Sequence, residues 1–270
     1  MIVWNPANDI AEALVAARRE ARPLAAFPGP LPATLEEAYA VQEAVLKLSP
    51  RRIAGWKVAG MAPAFRAQYD AERLVGPVFA DAIQTVADGG AATVAVYQGG
   101  FCAVEAEFVV RLTAAPRASG AAFSADDIAA VATLHAGSEI ASSPLADIND
   151  LGPGAVISDH GNNSGAIVGP EIARTGFGQW AELASRTVVD GELAGEGSAA
   201  RVAGGPFVSV AFLANQLAAR GRSLQAGDIV LTGMTTGIHP VAVGAQVRFE
   251  FTGTGGFALA VAAHSPAVAS

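Results

Sequence analysis

Residues 101–111 read FCAVEAEFVVR, and two carboxylates, Glu105 and Glu107, sit two apart in an otherwise apolar run. On a β-strand alternate residues share a face. Both acids therefore point one way, together with Phe101, Ala103 and Val109. The opposite face, Cys102, Val104, Ala106, Phe108 and Val110, is apolar. A half-solvated strand is one account of the pair, but a wet face stays polar along its length and this one does not. Buried side by side, the acids repel and raise each other's pKa. A divalent cation removes that conflict, and hard cations such as Mg²⁺ take oxygen ligands while keeping positions for water or substrate. Two ligands do not complete such a site. Glu139, closing the stretch TLHAGSEIA among small and apolar residues, is the candidate for a third. An exposed glutamate at a helix end is the alternative reading.

A second signal is compositional. Of 17 basic residues only Lys47 and Lys57 are lysines. A lysine retained in such a chain marks a place where an amine is needed, since Lys shifts its pKa or gives up a proton and Arg effectively does not. Lys47 falls at a helix end and reads as ordinary. Lys57, bracketed by glycines in GWKVAG, falls on a short strand, where a surface lysine is the competing reading.

The elements that must position these groups change character along the chain. NDIAEALVAARREA has helical spacing, as does TLEEAYAVQEAVLKL, with Thr34 and Glu37 in capping-box positions. A Pro-rich loop joins them. From about residue 53 short β-like runs alternate with Gly-rich turns: IAGWKVAG, ATVAVYQG, CAVEAEFVVRL, GAIVG, TVVDGEL, DIVLTG, AQVRFEFTG and FALAVAA. Two stretches among them read as helices. SADDIAAVATLHAGSEI follows a Ser124 cap, and PFVSVAFLANQLAARG ends at Gly221. The expectation is an α+β chain, with a helical N-terminal lobe over 1–52 and a β-rich metal-binding domain over 53–270.

Composition bounds the partners. The chain has 270 residues, 51% of them hydrophobic and only 16% charged, with a net charge of −8. A low charge content and a mean hydropathy of +0.37 point to surface covered by further copies, so a homo-oligomer is expected. No basic stretch exceeds two residues, which disfavours nucleic acid and anionic membranes. The single Cys102 leaves no internal disulfide and no thiolate metal site. No transmembrane or signal-like segment is visible, so the cytoplasm is the expected location.

Taken in order, TLEEAYAVQEAV, GWKVAG, GPVFADAI, VEAEFVVRL, GSEIA, SDHGNNSGAIVG and LQAGDIVLTG resemble the fumarylacetoacetate hydrolase superfamily. Within it the chain looks most like the 2-keto-4-pentenoate hydratase and 2-oxohepta-3-ene-1,7-dioate hydratase branch. The resemblance covers almost the whole chain and implies a mixed β-sandwich roll of the fumarylacetoacetase type. It implies that Glu105, Glu107 and Glu139 bind Mg²⁺ or Mn²⁺. It implies catalytic roles for Lys57 and Asp81, and substrate contacts for Thr232, Asp159 and Asn162.

Two departures from the branch stand out. Pro144 occupies the position where an Arg often follows the third acid. The loop SDHGNNS replaces ADNAS, so Asp159 is kept and His160 stands in place of Asn. The missing Arg predicts weaker recognition of a distal carboxylate. His160 is expected as an added catalytic proton donor or acceptor, with a loop histidine bonded to backbone as the alternative.

The substrate the family implies is a 2-oxo acid or its enol, chelated by the metal through carboxylate and 2-oxygen. Hydration of a 2-hydroxy-2,4-dienoate is the first reading. Decarboxylation of a 2-oxo-enedioate and fumarylacetoacetase-type C–C hydrolysis are the alternatives. A non-catalytic partner subunit of an active homologue is the rival from outside enzymology.

Overall fold

The computed structural model describes residues 6–267. The chain begins with α1 (Pro6–Arg19) and α2 (Leu35–Leu48), followed by β1 (Ile53–Gly60), α3 (Pro63–Tyr69), β2 (Arg73–Phe79), β3 (Ile83–Thr85), β4 (Ala91–Val96) and β5 (Phe101–Leu112). Its middle holds α4 (Ala125–Ala129), β6 (Ala132–Ser143), α5 (Ile148–Leu151), α6 (Pro153–Ser158) and β7 (Asn163–Ile172). The remainder is β8 (Ala184–Val189), β9 (Glu192–Ser198), α7 (Pro206–Ala219), β10 (Ile229–Met234), β11 (His239–Pro240), β12 (Gln246–Phe251) and β13 (Gly255–Ala263).

The strands form two mixed sheets. The larger runs β2-β1-β10-β5-β6-β7-β3, with β11 added against β5, and the smaller runs β4-β13-β12-β8-β9. Both faces of β5 are buried. Val104, Ala106, Phe108 and Val110 enter the main core, where Phe249, Phe251 and Phe257 of the second sheet and Phe207, Val210 and Leu213 of α7 meet them. Phe108 and Phe251 pack edge to face at 5.6 Å. On the other face Val109 joins Val78, Ala166, Val168, Ile229 and Leu231 in a small separate cluster. The expected roll with its two-faced central strand is therefore present, and the apolar α7 is a core helix.

α1 and α2 form where the periodicity places them. Thr34 Oγ1 accepts from the Glu37 N–H at 3.2 Å, while the Glu37 carboxylate reaches back to the N–H of Ala33 at 2.8 Å. The two helices share an apolar cluster with Leu145, Ile148 and Ile157. Gln42 ties α2 to the rest through donations to the carbonyls of Val75 and Ile157.

One expected helix is corrected. After the Ser124 cap only α4 is helical, with Ser124 and Asp127 completing a true capping box. ATLHAGSEI belongs to β6, twelve residues long and paired along its length with β5 and along most of it with β7. Its alanines and Leu134 are compatible with a helix, but burial between two strands overrides that weak preference. Gly137 explains the close fit: a Cβ there would lie 2.3 Å from Val109 Cγ2 and 2.6 Å from the Ile167 carbonyl oxygen.

Candidate metal centre

The register of β5 against β6 makes the site. Glu105 lies directly opposite Glu139, and Glu107 follows on the same face. Directly opposed residues on an antiparallel pair have Cβ atoms about 5 Å apart. One carboxylate oxygen from each of Glu105, Glu107 and Glu139 lies within 4.8 Å of the others. All three residues are buried, Glu139 completely. Lys57 comes in from β1, also buried, with Nζ 3.3 Å from Glu139 Oε2.

Further contacts fix the carboxylates. The backbone N–H of Gly233 donates to Glu107 Oε2 at 2.8 Å, and the Asn163 side-chain amide donates to Glu139 Oε1 at 2.9 Å. Glu139 Oε2 lies 3.3 Å from the Lys57 ammonium and finds no other hydrogen-bond partner among the described residues.

Burial raises the Glu105 carboxyl from 4.5 to about 8, with the charge of Glu139 adding to the effect and Lys57 opposing it. Burial, followed by Glu139 and Glu105, holds Glu107 well above the ordinary carboxylate range. For Lys57 burial favours the neutral amine, but the three carboxylates, led by Glu139, outweigh it and keep the ammonium. Three acids against one base is an unbalanced buried charge, and an all-oxygen donor set of this kind fits a divalent cation.

A pH dependence follows from these shifts. Between about pH 4.5 and 8 the unfolded chain ionises Glu105 while the folded protein keeps its proton. The folded state binds more protons, so stability falls as pH rises through that window. The melting temperature of the chelator-treated protein should drop from pH 5 to pH 8. Saturating Mg²⁺ should restore it, most strongly at pH 8, where fewer protons must be displaced. A metal-free melting temperature that rises across the window would contradict the assignment.

The other expected site residues are dispersed. Thr232 is buried on β10, and its hydroxyl donates to the Phe108 carbonyl at 2.6 Å. The residue of that segment that touches the triad is Gly233. Asp159 is fully buried and receives Arg18 on both carboxylate oxygens and the Ser143 hydroxyl at 2.6 Å. Asn162 makes a long contact to Asn149 at 3.4 Å. Asp81 lies at the surface in a forked ion pair with Arg51, its side chain 64% exposed.

His160 is buried with its ring edge-on to Phe79 at 5.0 Å, and neither ring nitrogen finds a hydrogen-bond partner among the described residues. Burial, then the charges of Arg18 and Arg51, pushes it well below its usual pKa, so the ring is neutral. His160, Asp81, Arg51 and Tyr97 line a cavity of about 1030 Å³ whose lining includes neither the triad nor Lys57. The backbone alternative for His160 is likewise not realised.

Sequence reasoning passed over Asn163 and Arg18. GNNS offered two adjacent amides, and only the second reaches a metal ligand. Arg18 carried no signal beyond a charge on the buried side of an amphipathic helix. It also brings a guanidinium to the Ser142 carbonyl, two residues before Pro144, although its donors are committed to Asp159 and backbone.

The sequence profile described as "Fumarylacetoacetate (FAA) hydrolase C-terminal" matches residues 59–262. The chain belongs to the fumarylacetoacetate hydrolase family. Among curated relatives, a 4-oxalocrotonate decarboxylase of Pseudomonas sp. strain CF600 is 35% identical over 104 residues, 37% of this chain and 38% of the relative. A second protein of that name, from Pseudomonas putida, is 29% identical over 232 residues, 82% of this chain and 83% of the relative.

The fold is that of the 4-oxalocrotonate decarboxylase of Pseudomonas putida G7, solved with magnesium and adipate. Its TM-score is 0.75 at 24% identity, covering 94% of this chain and 97% of the other. A fumarylpyruvate hydrolase of Pseudomonas aeruginosa, solved with Mn²⁺ and pyruvate, follows at TM-score 0.56 and 18% identity, covering 80% and 91%. The family membership and the acidic triad together make this chain a metal-dependent enzyme of the fumarylacetoacetate hydrolase superfamily.

Proposed function

We propose that the protein is a divalent-metal-dependent lyase that removes the distal carboxylate of a 2-oxo-3-enedioate as CO₂. The observation that carries the class is the buried triad of Glu105, Glu107 and Glu139 beside the Lys57 ammonium. The names of the two curated relatives favour decarboxylation over hydration, the first reading of the sequence.

In the reaction the C–CO₂ bond breaks and its electron pair becomes a new C=C bond. The conjugated pair shifts toward the 2-carbonyl, and its oxygen takes the charge and then one proton, giving a 2-hydroxy-2,4-dienoate. Glu105, Glu107 and Glu139 would hold Mg²⁺ or Mn²⁺, which would supply positive charge for that oxygen. Lys57 carries a proton at Nζ beside the same spot, oriented by Glu139. Asn163 and Gly233 hold Glu139 and Glu107 in place.

Pro144 supplies no forked guanidinium for the distal carboxylate, so the proposed diacid should bind weakly and show a high KM. The sequence resemblance to hydratases supports addition of water to the same dienoate as a second reading.

The test supplies Mg²⁺ and a 2-oxo-3-enedioate, and follows released CO₂ together with the dienoate absorbance. Decarboxylation predicts equal amounts of both. A protein that releases no CO₂, yet bleaches a 2-hydroxy-2,4-dienoate by adding water, is a hydratase and overturns the proposal. A monoacid of the same length should bind without turnover.

A further inference from the structure

We propose that Arg18, on α1 and outside the matched family region, is a positioning residue for the metal centre. The proposal rests on reading the glutamate triad as a metal site. Its basis is the turn joining α6 to β7. His160, Gly161 and Asn162 have φ of 59°, 71° and 63°, three successive left-handed residues of which two are not glycine. Such a backbone is costly and persists only where its surroundings hold it. Gly161 is confined as well, because a Cβ there would sit 3.0 Å from Lys57 Cδ and 3.0 Å from Gly76 Cα.

Arg18 grips this turn at both ends. Its Nε and Nη2 donate to the Asp159 carboxylate at 2.5 and 2.9 Å, and Nη1 donates to the Asn163 carbonyl at 3.1 Å. Nη2 also reaches the Ser142 carbonyl at 3.2 Å, on the last residues of β6. The guanidinium thus joins the end of the strand that carries Glu139 to the start of the strand that carries Asn163. Asn163 completes the chain by donating to Glu139 Oε1. Both Arg18 and Asp159 are buried, at 6% and 0% side-chain exposure. The path therefore runs from the N-terminal helix through two hydrogen-bonded links to one oxygen of a ligand. Residues that orient ligands in this way typically contribute 10- to 100-fold in metal affinity.

The test is Mn²⁺ titration followed by electron paramagnetic resonance, in wild type, Arg18→Met, Asn163→Ala, their double variant and Glu107→Gln. Arg18→Met and Asn163→Ala should each bind Mn²⁺ about 10- to 100-fold more weakly than wild type. Because they act along one path, the double variant should be no weaker than the worse single, where independent sites would add.

Arg18→Met strands a buried carboxylate and is at risk of unfolding. Arg18→Met/Asp159→Leu removes both charges, and should fold and still bind Mn²⁺ weakly. Wild-type affinity in Asn163→Ala or in a folded variant lacking Arg18 would overturn the proposal. So would failure of both Arg18 variants to fold, which would make the clamp a folding element only. Glu107→Gln separates the two levels: binding in wild type that is lost in this variant keeps the metal reading, whatever Arg18 does. Absence of Mn²⁺ binding in wild type would remove that reading itself.

Discussion

Glu107→Gln should abolish turnover and Mn²⁺ binding while leaving the metal-free protein as stable as wild type or more so. Glu107 is 1% exposed and lies between the other two acids and the Gly233 N–H. Glutamine keeps its shape, and its amide oxygen accepts from Gly233 as before. What disappears is an anionic ligand. Charge stabilisation by a bound metal is worth several kcal/mol, and at 1.36 kcal/mol per tenfold its loss is about a thousandfold in rate or more. The stability expectation has the opposite sign because burial and the two neighbouring acids force Glu107 to take up a proton when no cation is present. A neutral amide is spared that conflict. Melting temperature, Mn²⁺ titration and turnover on one preparation decide the matter. Unchanged turnover after exhaustive chelation would reject the metal assignment altogether.

Removal of Lys57 should separate catalysis from metal binding. Lys57→Met retains the length of the stem and discards the ammonium that faces Glu139 at 3.3 Å. A buried cation beside three carboxylates competes with a metal for the same negative charge. Its loss should therefore tighten Mn²⁺ binding, while turnover falls 10²- to 10⁴-fold, the range for losing a group that delivers or accepts a proton. Lys57→Arg keeps the charge but not the space: Gly161 closes over the side chain at Cδ, and guanidinium cannot give up its proton. It too should lose at least about a hundredfold. A variant that binds Mn²⁺ more tightly and turns over within threefold of wild type would make Lys57 a structural counter-charge only.

The pairing of Glu105 with Glu107 was legible because a strand has a fixed period of two. No distant residue can change which side chains share its face, and the apolar run around the acids already marked the strand as buried. Lys57 was legible for a different reason, the near absence of other lysines. Both helices of the N-terminal part and most strands followed from local patterning. The motif order implied the family before any coordinates did.

Glu139 shows where that ends. Its chemistry was visible in the sequence but its element was not, because ATLHAGSEI suits a helix until β5 and β7 flank it. The register that sets Glu139 opposite Glu105 is a property of two strands about thirty residues apart in sequence, so no local window contains it.

The positions of His160 and Asp81 were not legible for the same reason. Motif position brought them near the triad in sequence order, whereas the turn geometry and the Arg51 ion pair place them at another cavity.

Residue types and spacing along the chain were enough to propose the donor set, to single out Lys57 and to mark the strand that presents two of the ligands. These depend on residue type and on a backbone period that every L-peptide shares. The packing of distant segments set Glu139 opposite Glu105, brought Gly233 and Asn163 to the triad, and carried Arg18 across from α1 to fasten the turn. A backbone N–H is present at every residue but proline, and a buried amide or guanidinium finds its partner through packing of segments far apart in the chain. Such contacts are fixed by how the layers come together and leave no spacing in the sequence to read.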